Sequence, residues 1–120
     1  MRKIMAIFAH PDDEGVVAGT LTSFVEQGDD VTLVCATRGE VGQISDPTLA
    51  TPETIAEVRT QELETACDIL GIQHLEFLDY RDSGMDGTEE NNDPRAYVHA
   101  DPVEAKVKIG KFISPYQPDV

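Results

Sequence analysis

His10, Asp12, Asp13 and Glu14 fall within five residues, in the string Ala9-His10-Pro11-Asp12-Asp13-Glu14-Gly15. Charged groups packed this closely beside buried chain need water, a partner or a cation. A His and an Asp three residues apart suit Zn2+ or another divalent ion. Pro11 stiffens the turn between them. If one carboxylate binds the metal, another stays free to move a proton. The plainer alternative is that the acids cap a following helix and complement its dipole. Three acids behind a histidine are more than a cap uses.

The elements that must hold this string follow from hydrophobic patterning. Lys3 to Ala9 is an apolar run that reads as a buried first strand. A first helix is expected from Gly15 to Gln27, with Val17, Leu21, Phe24 and Val25 on one face and Gly28 as its stop. Val31 to Ala36 is continuous and rich in β-branched residues, the pattern of a strand covered on both faces. The loop from Thr37 to Thr51 precedes a second helix. Thr51 is its expected N-cap, with Pro52 and Glu53 in the first turn. Ile55, Val58, Leu63, Ala66 and Leu70 form its apolar stripe, and Gly71 ends it. His74 to Leu78 is a third strand. Asp101-Pro102 opens a third helix with Val103, Val107 and Ile113 expected inward. Pro118-Asp119-Val120 reads as the first residues of a fourth strand.

Alternating strands and helices imply an α/β fold: a Rossmann-like three-layer α/β/α sandwich around a mostly parallel sheet. Right-handed crossovers give the strand order 3-2-1, with the fourth strand beside the first. Ligands in such sheets sit outside the carboxyl ends of the strands. The unusual residues lie there: His10 to Glu14 after strand one, Thr37-Arg38-Gly39-Glu40-Val41-Gly42 after strand two, and Asp79 to Met85 after strand three. The first loop lacks the G-x-G-x-x-G that lets a pyrophosphate approach backbone, so a dinucleotide is not the expected ligand.

Composition narrows the partners. The 120 residues carry 23 acids against 9 bases, a formal charge of −14. So acidic a surface argues against nucleic acid or an anionic membrane as partner. No apolar run is long enough to span a bilayer, and Met1-Arg2-Lys3 leads into a strand and not a signal peptide. Cys35 and Cys67 lie inside expected elements and read as reduced core residues of a cytoplasmic protein.

Ala9-His10-Pro11-Asp12-Asp13-Glu14 resembles the signature of the LmbE-like, PIG-L type zinc-dependent N-acetylglucosamine deacetylases. Supporting matches are Thr37-Arg38-Gly39-Glu40 with Gly42, Arg59 with Glu62, Ala66 and Leu70-Gly71, and Pro118-Asp119-Val120. Tyr80-Arg81-Asp82-Ser83-Gly84-Met85 is most similar to the mycothiol branch. The resemblance implies a metal-dependent hydrolase removing the acetyl group from an N-acetylglucosaminyl substrate, such as a mycothiol- or bacillithiol-precursor glycoside or a related amide. It implies His10 and Asp13 as ligands of Zn2+ or another divalent metal, Asp12 as general base, and Arg59 and Asp82 as binders of sugar hydroxyls. Arg59 as a surface ion pair and Asp82 as a turn former are the simpler readings of those two residues. Arg38 and Glu40 either support the site or shape their loop. The partner is then a small-molecule amino sugar, and a homo-oligomer is left open.

The resemblance also has a gap. A catalytic zinc takes three protein ligands and an open position, and the family's third is a histidine after the fourth strand. His74 is expected at the wrong end of the sheet, and His99 reads as a plain loop residue. Residues 1–120 are therefore expected to be the N-terminal part of a single deacetylase domain. The alternatives are a non-catalytic sugar- or metal-binding module, or a truncated subunit that needs a C-terminal segment.

Overall fold

The computed structural model describes residues 1–120. Three parallel strands form the sheet: β1 (Lys3–Phe8), β2 (Asp30–Cys35) and β3 (His74–Phe77). β2 lies between the other two, with Ile4 opposite Val31 and Leu33 opposite Leu75. This is the expected order 3-2-1. The expected fourth position is also filled: the Met5 N–H donates to the Val120 carbonyl at 2.9 Å and the Asp119 N–H to the Lys3 carbonyl at 2.7 Å.

Successive residues of β2 serve opposite faces, as the pleat requires. Val31, Leu33 and Cys35 face a core shared with Ile4, Leu21, Leu63 and Cys67. Helices α1 (Ala18–Glu26) and α2 (Ile55–Leu70) cover that side. Val34 and Ala36 face a second core with Leu78 and Tyr80. Helix α3 (Pro102–Tyr116) covers it with Ala105, Ile109 and Phe112. The three layers are thus the expected α/β/α sandwich. No helix is long and apolar enough to cross a membrane.

Three local expectations give way. The first helix does not run from Gly15. A 3₁₀ turn at Asp13–Val16 comes first, and Val17, at φ −119°, separates it from α1. That tight turn folds the Asp13 carboxylate back onto the chain leaving β1. The second helix begins at Ile55, with Thr54 and not Thr51 at its N-cap, and leaves Pro52 and Glu53 outside it. Thr51 acts through its carbonyl, which accepts the N–H groups of Thr54 and Ile55, while Thr54 Oγ1 accepts the Thr51 N–H at 2.9 Å. The third correction is the face of α3. Val103, Val107 and Ile113 are exposed, and the inward stripe is Ala105, Ile109 and Phe112. Both faces carry apolar residues, so periodicity alone does not choose between them. The bulk of Phe112 and the bond from the Tyr116 hydroxyl to the Asp30 carbonyl, 2.8 Å, favour the observed rotation.

The start of α3 is as expected. Asp101 Oδ1 accepts the N–H groups of Val103 and Glu104 at 2.8 and 3.1 Å, with Pro102 at the first helical position. Asp101→Ala should cost about 1 kcal/mol of stability, the usual worth of such a cap, read from the midpoint of urea unfolding.

Candidate active site

The chain leaves β1 through Ala9 and turns sharply. Asp12 sits in the left-handed region, at φ 81° and ψ −15°. A residue with a side chain is unfavourable there, and such outliers gather at functional sites. Its reward is local geometry. Asp13 Oδ2 accepts the His10 backbone N–H at 2.9 Å and lies 3.6 Å from His10 Nδ1. Asp12 is left out of that pair, and its side chain is 84% exposed.

The loop after β2 braces this turn. Thr37, fully buried, donates its hydroxyl to the Ala9 carbonyl at 2.9 Å. Glu40 bridges two loops: Oε1 accepts the Arg38 N–H at 3.2 Å and Oε2 the Asp82 N–H at 2.8 Å. Arg38 lies over the Phe77 ring, 3.8 Å from its centre, and pairs with Asp79 at 3.3 Å. Arg38 and Glu40 are therefore loop-shaping residues, the role that the sequence left open.

The loop after β3 brings in Asp82, whose side chain is 7% exposed. Its Oδ1 accepts the Gly84 N–H at 3.0 Å and lies 3.2 Å from His10 Nε2. A carboxylate on the far nitrogen fixes the orientation of an imidazole and makes it a better donor to a metal. From α2, Arg59 reaches the same place. Its Nη2 donates to the Pro11 carbonyl at 2.7 Å and stands 3.3 Å from Asp12 Oδ2. The five residues singled out, His10, Asp12, Asp13, Arg59 and Asp82, thus converge from three elements of the chain. His74 and His99 do not join them. His74 stands 3.7 Å from Asp30 at the opposite end of the sheet, and His99 Nε2 is 2.7 Å from the Asn91 carbonyl.

The donor pair fits a divalent ion. Two bonds of about 2.1 Å at a tetrahedral angle separate their donor atoms by about 3.4 Å. His10 Nδ1 and Asp13 Oδ2 are 3.6 Å apart on partly exposed side chains. No group of three or more His, Cys, Asp or Glu side chains is poised around one point, so the chain presents two protein donors there. Cysteine does not add a third. Burial pushes the Cys35 thiol up to about 12 and Cys67 up to about 11, so both stay protonated at neutral pH.

Beside Asp12 and Arg59 opens a cavity of about 410 Å3, walled by Ile44, Leu49, Ile55 and Glu62. The sequence reading missed this wall, because Ile44 and Leu49 lie in an irregular loop without periodicity. It also missed why Gly39 and Gly42 matter. A Cβ on Gly42 would lie 2.6 Å from Arg59 Nη1, and one on Gly39 would overlap the guanidinium. Two glycines opposite one arginine was the available signal.

Known proteins resemble this chain in sequence and in fold. A chain from Kineococcus radiotolerans, a 1D-myo-inositol 2-acetamido-2-deoxy-alpha-D-glucopyranoside deacetylase, is 39% identical over 135 residues, covering 99% of this chain and 37% of the relative. The deacetylase of the same name from Nocardiopsis dassonvillei is 40% identical over 126 residues, covering 97% of this chain and 45% of the relative. The chain thus spans less than half the length of these curated relatives. Among solved structures, N,N'-diacetylchitobiose deacetylase from Pyrococcus horikoshii superposes with a TM-score of 0.76 at 27% identity, over 98% of this chain and 39% of its own. The 4-carboxy-2-hydroxymuconate hydratase of Pseudomonas putida gives 0.71 at 22% identity, over 98% and 45%, a likeness of fold alone. Residues 5–120 match the family described as PIG-L: GlcNAc-PI de-N-acetylase, and the chain belongs to that family.

Proposed function

We propose that the chain serves a metal-dependent hydrolase that removes the acetyl group from an N-acetylglucosaminyl glycoside. The observation that carries this reading is the His10–Asp13 donor pair, with the exposed Asp12 carboxylate, paired with Arg59 and not with His10, beside it at the mouth of a cavity. The names of the matched relatives, deacetylases of an inositol glycoside of N-acetylglucosamine, support the substrate class. The reading assigns residues 1–120 to part of one deacetylase domain, since they match 37% and 45% of those relatives' length. The matched partner is a small amino sugar, and a cytoplasmic setting fits two free, buried cysteines.

His10 and Asp13 would hold Zn2+ or a similar ion, which when bound would supply a Lewis acid for the amide carbonyl and lower the pKa of water to about 7. Asp12 takes the proton of the attacking water on its carboxylate. It then returns that proton to the nitrogen of the leaving amine, and acetate and the free amino sugar separate. Asp82 holds His10 through Oδ1, and its Oδ2 is left to accept a sugar hydroxyl. Arg59 also lines the cavity, and its N–H groups not used on Pro11, Asp12 and Gly39 can donate to hydroxyl oxygens.

Treatment with a strong chelator should abolish release of free amine from an N-acetylglucosaminyl-inositol, and added Zn2+ should restore it. Undiminished release by protein verified to be metal-free would refute the metal-dependent mechanism. A non-catalytic sugar- or metal-binding module is the second reading, favoured by the ion pair with Arg59, 3.3 Å, that engages the Asp12 carboxylate. Zinc binding and sugar binding without any amine release would decide for it.

A further inference from the structure

We propose that Arg59 is a positioning residue: its guanidinium, seated against Gly39 and Gly42, pins the turn that carries His10, Asp12 and Asp13. The inference rests on the roles given above to those three residues.

The turn needs such a restraint. Asp12 is held at φ 81°, where a side chain is disfavoured. Two backbone bonds close the turn at Asp12: the Asp13 N–H to the His10 carbonyl at 3.3 Å, and the Gly15 N–H to the Asp12 carbonyl at 2.9 Å. The first is long. Arg59 supplies what these lack. Its Nη2 donates to the Pro11 carbonyl at 2.7 Å, the peptide group that leads directly into the strained residue. The same nitrogen stands 3.3 Å from Asp12 Oδ2, and Nη1 donates to the Gly39 carbonyl at 3.3 Å. One side chain therefore ties α2 to the loops after β1 and β2.

The space is shaped for it. The Arg59 side chain is 19% exposed, well covered for a guanidinium. A Cβ on Gly39 would overlap it, and a Cβ on Gly42 would approach Nη1 to 2.6 Å. A planar fork with several N–H groups can serve three acceptors at once, whereas a lysine ammonium is a single point on a flexible stem. A surface ion pair with Asp12 alone would need neither the buried seat nor the two glycines. Nor would a residue that only holds sugar hydroxyls spend its donors on two backbone carbonyls.

The test compares Arg59→Ala, Arg59→Lys and Gly42→Ala in the full chain. Gly42→Ala keeps every charge and displaces the guanidinium by crowding, and its φ is not in the left-handed region. In metal-free protein, amide exchange at Asp13 and Gly15 should quicken at least about tenfold in all three, while the amide of Val34 in β2 keeps its protection. Zinc affinity, read by competition with a chromophoric chelator, should fall about 10- to 100-fold. In Gly42→Ala, kcat should fall by a larger factor than KM rises. Guanidinium ion should restore slow exchange in Arg59→Ala and not in Gly42→Ala, where the seat is filled. Unchanged exchange at Asp13 and Gly15 in Arg59→Ala and Gly42→Ala would overturn the inference, as would an Arg59→Ala defect confined to KM. If the whole deacetylase domain containing this chain, unaltered, binds no zinc and releases no amine, the deacetylase reading fails, and the exchange measurements alone decide the role of Arg59.

Discussion

Asp12→Asn should lower turnover about 10²- to 10⁴-fold, the usual worth of a positioned general base, and leave zinc bound. The substitution is nearly isosteric, so the turn survives. Asparagine also tolerates the left-handed backbone that Asp12 adopts at φ 81°. What it removes is the lone carboxylate that is not paired with His10. Asp13 cannot substitute, because its Oδ2 is committed to the His10 N–H at 2.9 Å and faces the imidazole. The measurement is kcat for amine release alongside zinc content by atomic absorption. Near-normal kcat would show that another group moves the proton.

The opposite pattern should follow from the donors. His10→Ala and Asp13→Ala should each weaken zinc binding by more than about 100-fold, beyond the 10- to 100-fold typical of residues that merely support a ligand. If His10 and Asp13 hold the ion, either substitution removes half of the donors that this chain would bring to it. Asp13→Ala carries a second cost, because its carboxylate also accepts the His10 backbone N–H and so helps to shape the turn. His10→Ala should spare that bond. Titration calorimetry with Zn2+ separates the two effects from unfolding, provided the thermal transition is followed in parallel. Retained affinity in both variants would place the metal elsewhere.

The assignment of separate roles within one short string depends on comparing these variants. Asp12 and Asp13 are adjacent and chemically alike, yet the backbone points them differently. Asp13 opens the 3₁₀ turn and folds back onto His10, while Asp12 projects outward toward Arg59 and the cavity. Exchanging their roles would require rebuilding the turn. That is why a loss of turnover and a loss of metal should come from different positions.

The sequence by itself determined the layered fold and the place of the candidate site. β2 reads as buried because Val31 to Ala36 is uninterrupted, and each of these residues is buried in the structure. Strand–helix alternation then set a parallel sheet, and the parallel sheet set all three unusual loops at one edge. His10, Asp12 and Asp13 were legible because acids and a histidine at a strand's end have few other uses. Tertiary structure alone decided the rest. The inward face of α3 depended on whether Val103 and Val107 or Ile109 and Phe112 met Tyr80 and Leu78, a choice between two apolar stripes on one helix. The start of α1 depended on a turn tight enough to return Asp13 to His10. Arg59 and Asp82 lie far along the chain from the string that they serve, and no local pattern states which atom each one meets. Propensity and periodicity report on neighbours a few residues apart, whereas a hydrogen bond from Arg59 to Pro11 is fixed only when α2 packs against the sheet.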